Sequence, residues 1–326
     1  MKICTPFFSI ILPTHNVEKY IGRSIRSCLS QSFIDFEILV IDDRGNDRSI
    51  EIARSYSIKD SRIRIITNDF NLGTFGARNQ GILHAIGNYI VFLDPDDELT
   101  SNTLERLHKE IIETDADIVL FGRSTQPARR LEWLRPKLQS RTNPVELPIV
   151  NIFVDTPKLF WGTPGKAFSS TVAKKAYHNF QLLKDRLTYC EDVLFLFVAA
   201  MHAKNYITIT EKLYLYHTNP ESITSTKKYE DLLKLRQQID MVINHATKFL
   251  ATNVELSKDF KAEKSLGYVC QTLRSDKELL FRFESDPNTG NSLYLRSSLN
   301  SFRARKNPKD LIRALLHVVT LAKFKF

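Results

Sequence analysis

The sequence predicts an α/β fold, a mainly parallel sheet flanked by helices and followed by a helical C-terminal region. Three observations carry that prediction. Short apolar runs recur at residues 8–12, 37–41, 64–67, 89–93 and 117–121. Helical patterns separate them, as βαβ units require. From about residue 227 long helical patterns take over, as in 229–251.

Each run is rich in Ile, Val, Leu or Phe and too short to be a helix of its own. The runs are apolar on both faces, as expected of strands covered by helices on each side. In the first helix Val17, Ile21, Ile25, Cys28 and Leu29 recur every three to four residues. Further helices are expected over 47–57, 74–85 and 102–112. After Phe121 the rhythm breaks. Residues 123–148 are basic and contain proline, with Arg129, Arg130, Arg135, Lys137 and Arg141, and a mobile loop or lid is expected there. The expected domains are 1–225, which carries the sheet, and 226–326, basic and mainly helical.

The chain has 326 residues, 43% of them apolar, enough for a packed core. Its net charge of +9 is uneven. Residues 1–226 hold 27 Lys and Arg against 26 Asp and Glu, whereas 227–326 hold 19 against 11. Such a basic end suits an anionic surface. Residues 309–326 are apolar and basic together, with Leu311, Leu315, Val318 and Ala322 on one helical face, and are expected to lie on an anionic membrane or on the protein itself. No nucleic-acid recognition motif is present. Cys4, Cys28, Cys190 and Cys270 are too scattered for a zinc site or a disulfide framework. The N-terminal apolar run, broken by Pro6 and Pro13, reads as a buried strand rather than a signal peptide.

Ligands of an open α/β sheet bind beyond the carboxyl ends of its strands. Here those ends read Pro13-Thr14-His15-Asn16, Asp42-Asp43 and Asp94-Pro95-Asp96-Asp97. Five aspartates on one rim would repel one another unless a cation or a donor-rich ligand sat among them. Pro95 holds Asp94 extended, so Asp94 and Asp96 can aim at one point and hold a divalent ion, Mn²⁺ or Mg²⁺, shared with a diphosphate. Glu191 and Asp192 precede the apolar run 193–200 and would sit in the first turn of a helix. A carboxylate there suits a general base. A dehydrogenase would need G-x-G-x-x-G after the first strand, and none is present. An aspartyl phosphatase would need Thr or Val where Glu98 stands.

The segments SIILPTHN, QSFIDFEILVIDD with its GND, NLGTFGARNQGI, YIVFLDPDDEL and CEDVLF occur in the order found in family 2 glycosyltransferases of the GT-A fold, and the chain resembles that family over residues 7–225. Within it, the likeness is greatest to bacterial β-1,3-galactosyltransferases of lipooligosaccharide cores, of the Campylobacter type. The resemblance implies an inverting transfer of a hexose from a UDP-sugar, UDP-galactose first, with UDP-glucose and UDP-N-acetylhexosamines as alternatives. It implies a glycan or glycolipid acceptor, and the basic, amphipathic C-terminal region then leads us to expect a cytoplasmic enzyme, peripheral on the inner membrane face. Pro13, Thr14 and His15 would line the uracil pocket, with Asp42 and Asp43 beside it and Asp43 accepting from the ring. Arg78 would hold base or diphosphate. Asp94 and Asp96 would hold ribose and metal, supported by Asp97, with His217 as a late metal contact. Asp192 would be the base with Glu191 beside it, and Trp161 and Lys166 would meet a sugar. A non-enzymatic nucleotide-sugar-binding protein is the competing class, disfavoured because every one of these carboxylates is present.

Overall fold

The computed structural model describes residues 5–127, 137–156, 160–181, 183, 185–219 and 229–279. The chain divides into two compact units, Met1–Asn219 and Pro220–Phe326.

The first unit begins with β1 (Phe8–Thr14), α1 (Ile21–Leu29), β2 (Phe36–Asp42), α2 (Ser49–Ser57), β3 (Ile63–Thr67), α3 (Gly73–His84) and β4 (Tyr89–Phe92). It continues through β5 (Glu98–Leu99), α4 (Thr103–Thr114), β6 (Ile118–Gln126), β7 (Arg141–Glu146), α5 (Pro148–Asp155), β8 (Lys166–Ser169), α6 (Ser170–Phe180), α7 (Glu191–His202) and β9 (Asn205–His217). One mixed sheet runs β3-β2-β1-β4-β8-β6-β9-β5, with β7 also on β9. The pairs β1–β2, β2–β3, β1–β4 and β6–β9 are parallel, and β8 is antiparallel between β4 and β6. This is the GT-A architecture.

Every residue of β1, β2 and β4 is buried, which explains their mainly apolar runs, and the buried Ser9 and Glu37 are paired with each other at 2.7 Å. Their carboxyl ends lie side by side. Thr14 pairs with Asp42, and Ile11 with Phe92. Helix α7 reads EDVLFLFVAAMH and is apolar on all sides, so it packs inside, with residues 193–200 all buried.

Two elements differ from the sequence expectation. Residues 123–148 are not simply a loop. Strand β6 continues to Gln126, and Arg141 lies in β7 against β9. Within β6 there is a bulge at Gly122, where the β6–β9 register shifts. A β-carbon at Gly122 would lie 2.5 Å from the Thr210 carbonyl oxygen, so only glycine lets the two backbones approach there. The bulge carries β9 onward, so that Gln126 pairs with His217. Arg129, Arg130 and Arg135 lie outside the described residues.

The second unit contains α8 (Tyr229–Thr252), a 3₁₀ turn (Leu256–Lys258) and α9 (Phe260–Leu279). Leu232, Leu235, Ile239, Val242 and Ala246 form one buried stripe of α8. Lys277 Nζ meets Asp240 Oδ1 at 2.6 Å between the helices. The expected helix over 309–326 lies outside the described residues, among which no helix is long and apolar enough to cross a membrane.

Candidate active site

The β1 end is close-packed. Pro13 and Thr14 are buried, and Thr14 Oγ1 donates to the Leu12 carbonyl. His15 is exposed, and its Nδ1 lies 3.0 Å from the Asp43 carbonyl oxygen. Asp42 Oδ1 accepts from the Arg44 N–H at 3.0 Å. Asp43 is buried and accepts from Asn68 Nδ2 at 2.7 Å, the Leu72 N–H at 2.7 Å and the Gly73 N–H at 2.8 Å. It therefore fixes the loop entering α3. Asn71 of that loop donates to the Asp43 carbonyl and to the His15 ring, and Arg186 donates to Asn71.

The turn after β4 splits its aspartates. Asp94 and Asp96 are half-buried, whereas Asp97 is 1% exposed and faces inward. Asp97 accepts from Tyr214 Oη and from the His217 N–H, both at 2.7 Å, so it ties the turn to β9. Burial first, and then the Asp94 charge, push its carboxyl up to about 8. Asp97 is therefore a strut of the turn. Asp96 Oδ2 accepts from Asn219 Nδ2 at 3.0 Å, and its carbonyl accepts from Arg23 at 2.6 Å. Burial raises the Asp96 carboxyl, and the Asp94 charge adds to this against the Asn219 bond.

Arg78 lies between this turn and α7. Nη2 donates to Asp94 Oδ1 at 2.7 Å and Nη1 to Glu191 Oε1 at 3.1 Å. Burial alone would lower its pKa, but Asp94, Glu191 and Asp192 outweigh that and hold its proton. Arg78 is 6% exposed, and each terminal nitrogen is spent on a carboxylate. It clamps the two acidic segments together.

Glu191 opens α7 and is buried; burial and then the Asp192 charge push it up to about 7, against Arg78. Asp192 is half-buried, and its Oδ1 accepts from the Val193 N–H at 2.8 Å. Its Oδ2 lies against Gly162, where a β-carbon would come within 2.5 Å.

The other expected site residues lie deeper or turn elsewhere. Trp161 is fully buried, packed at 5.1 Å on Phe153 and donating to the Thr156 carbonyl at 3.2 Å. It offers no open face to a sugar. Lys166 is fully buried and donates to the Gly162 carbonyl. His217 Nε2 meets Glu98 Oε1 at 2.7 Å rather than Asp94 or Asp96.

Residues 9–179 match the sequence profile of the family described as Glycosyl transferase family 2. The chain belongs to this family. Among its relatives is the glycosyltransferase EpsJ of Bacillus subtilis, 34% identical over 223 residues, 67% of this chain and 63% of that protein. Another is the UDP-Glc:alpha-D-GlcNAc-diphosphoundecaprenol beta-1,3-glucosyltransferase WfgD of Escherichia coli, 42% identical over 97 residues, 30% of this chain and 38% of that protein. The chain thus spans less than two thirds of either relative's length. The crystal structure of S. aureus TarS 1–349 in complex with UDP-GlcNAc matches with a TM-score of 0.57 at 20% identity, over 97% of this chain and 90% of that one. That likeness shows the GT-A fold.

The residues of this family 2 glycosyltransferase can be tested against the expected divalent ion. Among the described residues no group of three or more His, Cys, Asp or Glu side chains gathers to hold a metal. His217 is thereby corrected, being turned to Glu98. Asp94 and Asp96 remain, two half-buried carboxylates, of which Asp96 is raised by burial and by its neighbour. That donor set suits a hard cation taking its other oxygens from phosphates and water. Sequence reasoning missed Gly162, Asn71, Tyr214 and Asn219. The first two stood inside recognised motifs. The others act from β9 and just beyond it, about 120 residues from the turn they brace.

Proposed function

We propose that the chain is an inverting glycosyltransferase that moves a hexose, galactose first, from a UDP-sugar to a hydroxyl of a glycan or glycolipid. The observation that carries this reading is the Arg78 clamp, which holds Asp94 beside the Glu191-Asp192 turn through bonds of 2.7 Å and 3.1 Å. A diphosphate-side carboxylate and a candidate base thus belong to one cleft of a family 2 fold. The nucleotide-sugar chemistry in the names of WfgD and the TarS complex supports a UDP donor. The galactosyl choice rests on the motif resemblance alone, and UDP-glucose and UDP-N-acetylhexosamines are the alternatives.

In this reading Pro13, Thr14 and His15 border the uracil, with Asp42 behind them. Asp43 acts by holding the 68–73 loop and can take one more hydrogen bond from the base. Asp94 and Asp96 would hold Mn²⁺ or Mg²⁺, which when bound neutralises charge on the departing diphosphate. Asp192 takes the proton of the acceptor hydroxyl as that oxygen bonds to the anomeric carbon. The bond from that carbon to the diphosphate breaks on the opposite side, UDP leaves, and an α-linked donor gives a β-linked product. Glu191 is already paired with Arg78 at 3.1 Å, which leaves Asp192 as the proposed base.

The basic residues 227–326 support attachment to an anionic membrane surface beside a lipid-linked acceptor, on the cytoplasmic face. Liposome co-sedimentation with and without residues 309–326 tests that part. The reaction is tested by a donor screen in Mn²⁺ and Mg²⁺, reading UDP release with UDP-galactose, UDP-glucose and UDP-N-acetylhexosamines. Release from one of them is expected. Folded protein that releases UDP from none contradicts the function, and release from UDP-glucose alone moves only the choice of sugar.

A further inference from the structure

Lys166 starts β8 with no exposed surface. A buried ammonium is costly unless its protons are well placed. Burial, and then the Arg123 charge, lower this one to about 7, while the Asp192 charge opposes them. A leucine or methionine would fill the space without that penalty, so the amine needs a reason to be there.

Its bond supplies one. Nζ donates to the carbonyl oxygen of Gly162, in the turn 161–165 that leads into β8. The same Gly162 presents its bare Cα to Asp192 Oδ2. On its other side the turn is anchored by Trp161, wedged on Phe153 and bonded to Thr156. One residue therefore links a buried cation, through a backbone carbonyl, to the candidate base. On the Asp192 side the carboxylate is already tied by Oδ1 to the Val193 N–H at 2.8 Å. Where Oδ2 points is then decided by what stands beside it, namely the Gly162 backbone.

We propose that Lys166 is a positioning residue for the transfer reaction: by holding the Gly162 carbonyl it keeps that backbone against Asp192 and sets the direction of the carboxylate that receives the proton. The proposal rests on Asp192 being the base. Lys166 touches neither substrate nor the reacting atoms; it acts through Gly162. In the proposed function the diphosphate lies at Asp94, across the Arg78 clamp from the Glu191-Asp192 turn, so loss of the Lys166 amine should move turnover and not the affinity for UDP.

The test is a double-mutant cycle in the full-length protein. Lys166→Met removes the donor group and the charge at similar length, and Lys166→Gln keeps a donor. A misplacement of about 1 Å can cost about 10²-fold in rate. Lys166→Met should therefore lower kcat by about 10²-fold, with the KM for the donor and the calorimetric affinity for UDP within about twofold of wild type. Lys166→Gln should recover part of the loss. In an Asp192→Asn background, Lys166→Met should add less than about threefold, because the carboxylate it positions can no longer take a proton. A full second 10²-fold loss in that background, or near-normal turnover of both single variants, overturns the proposal. If Lys166→Met does not fold, Lys166→Gln carries the same cycle. A second readout does not depend on turnover. Amide hydrogens of Gly162, Thr163 and Gly165 should exchange roughly tenfold faster in the variant than in wild type, since local opening is easier without the tether. If no UDP-sugar is turned over by wild type, the proposed function fails on its own. Unchanged exchange at those amides then overturns the Lys166–Gly162 tether as well, whereas faster exchange upholds the tether alone and the positioning role falls with the reaction.

Discussion

Asp192 Oδ2 lies so near the Gly162 backbone that a β-carbon at residue 162 would stand 2.5 Å from it. The contact makes one turn responsible for how the candidate base points. Gly162→Ala must displace the carboxylate, which is the flexible partner. Turnover should fall by roughly 10–10², while thermal stability changes little because Asp192 can swing toward the cleft. Initial rates and a melting curve on the same preparation check this. Unchanged rates would show that the contact has no bearing on the reaction.

Arg78 is expected to matter for folding as much as for rate. It is 6% exposed and pairs with Asp94 and the buried Glu191. Arg78→Met leaves both carboxylates without their cation, and breaking such a buried pair costs about 3–5 kcal/mol. Urea denaturation should show a loss of that order. A loss below about 1 kcal/mol would mean that the carboxylates take up protons or solvent instead.

Asp96 should behave in the opposite way. Burial and the Asp94 charge both disfavour its ionised form. Asp96→Asn relieves that repulsion, so stability should hold or rise. Rate should fall by at least about 10²-fold, the scale for losing one charge-stabilising group in a site. A chelator should produce a similar loss in wild type. Full activity in excess chelator would remove the metal from the proposal.

Lys166 supplies a pH signature. The unfolded chain keeps this proton to about pH 10.4, while burial lowers the folded value to about 7. Between those limits the unfolded state binds more protons, so this group makes stability rise with pH from about 7 toward 10. Below pH 7 both states are protonated and the contribution is flat. Other groups cancel when wild type is compared with Lys166→Met. The melting temperature of wild type minus that of the variant should therefore increase from pH 6.5 to pH 9.5. A difference that stays constant would indicate a lysine with an ordinary pKa.

The sheet was readable where local pattern decides it. β1, β2 and β4 are buried on both faces, so their runs of Ile, Val, Leu and Phe have no polar alternation to confuse the reading. β7 was read as loop because four of its six residues are exposed and its partner β9 lies far along the chain. Within the site, Asp94, Asp96 and Asp97 look alike in sequence. What separates them is Tyr214, more than a hundred residues away, whose hydroxyl draws Asp97 inward. Trp161 and Lys166 were singled out for their chemistry. Whether an aromatic faces a cleft or a core, however, depends on partners such as Phe153 that the motif does not contain.

The most direct measurement compares wild type and Asp192→Asn in one UDP-release assay, using whichever UDP-sugar the donor screen identifies. The asparagine keeps the shape of the side chain but cannot take a proton. Turnover should fall by roughly 10²–10⁴, with UDP affinity by calorimetry unchanged. Near-normal turnover in Asp192→Asn would contradict the assignment of the base and with it the proposed mechanism.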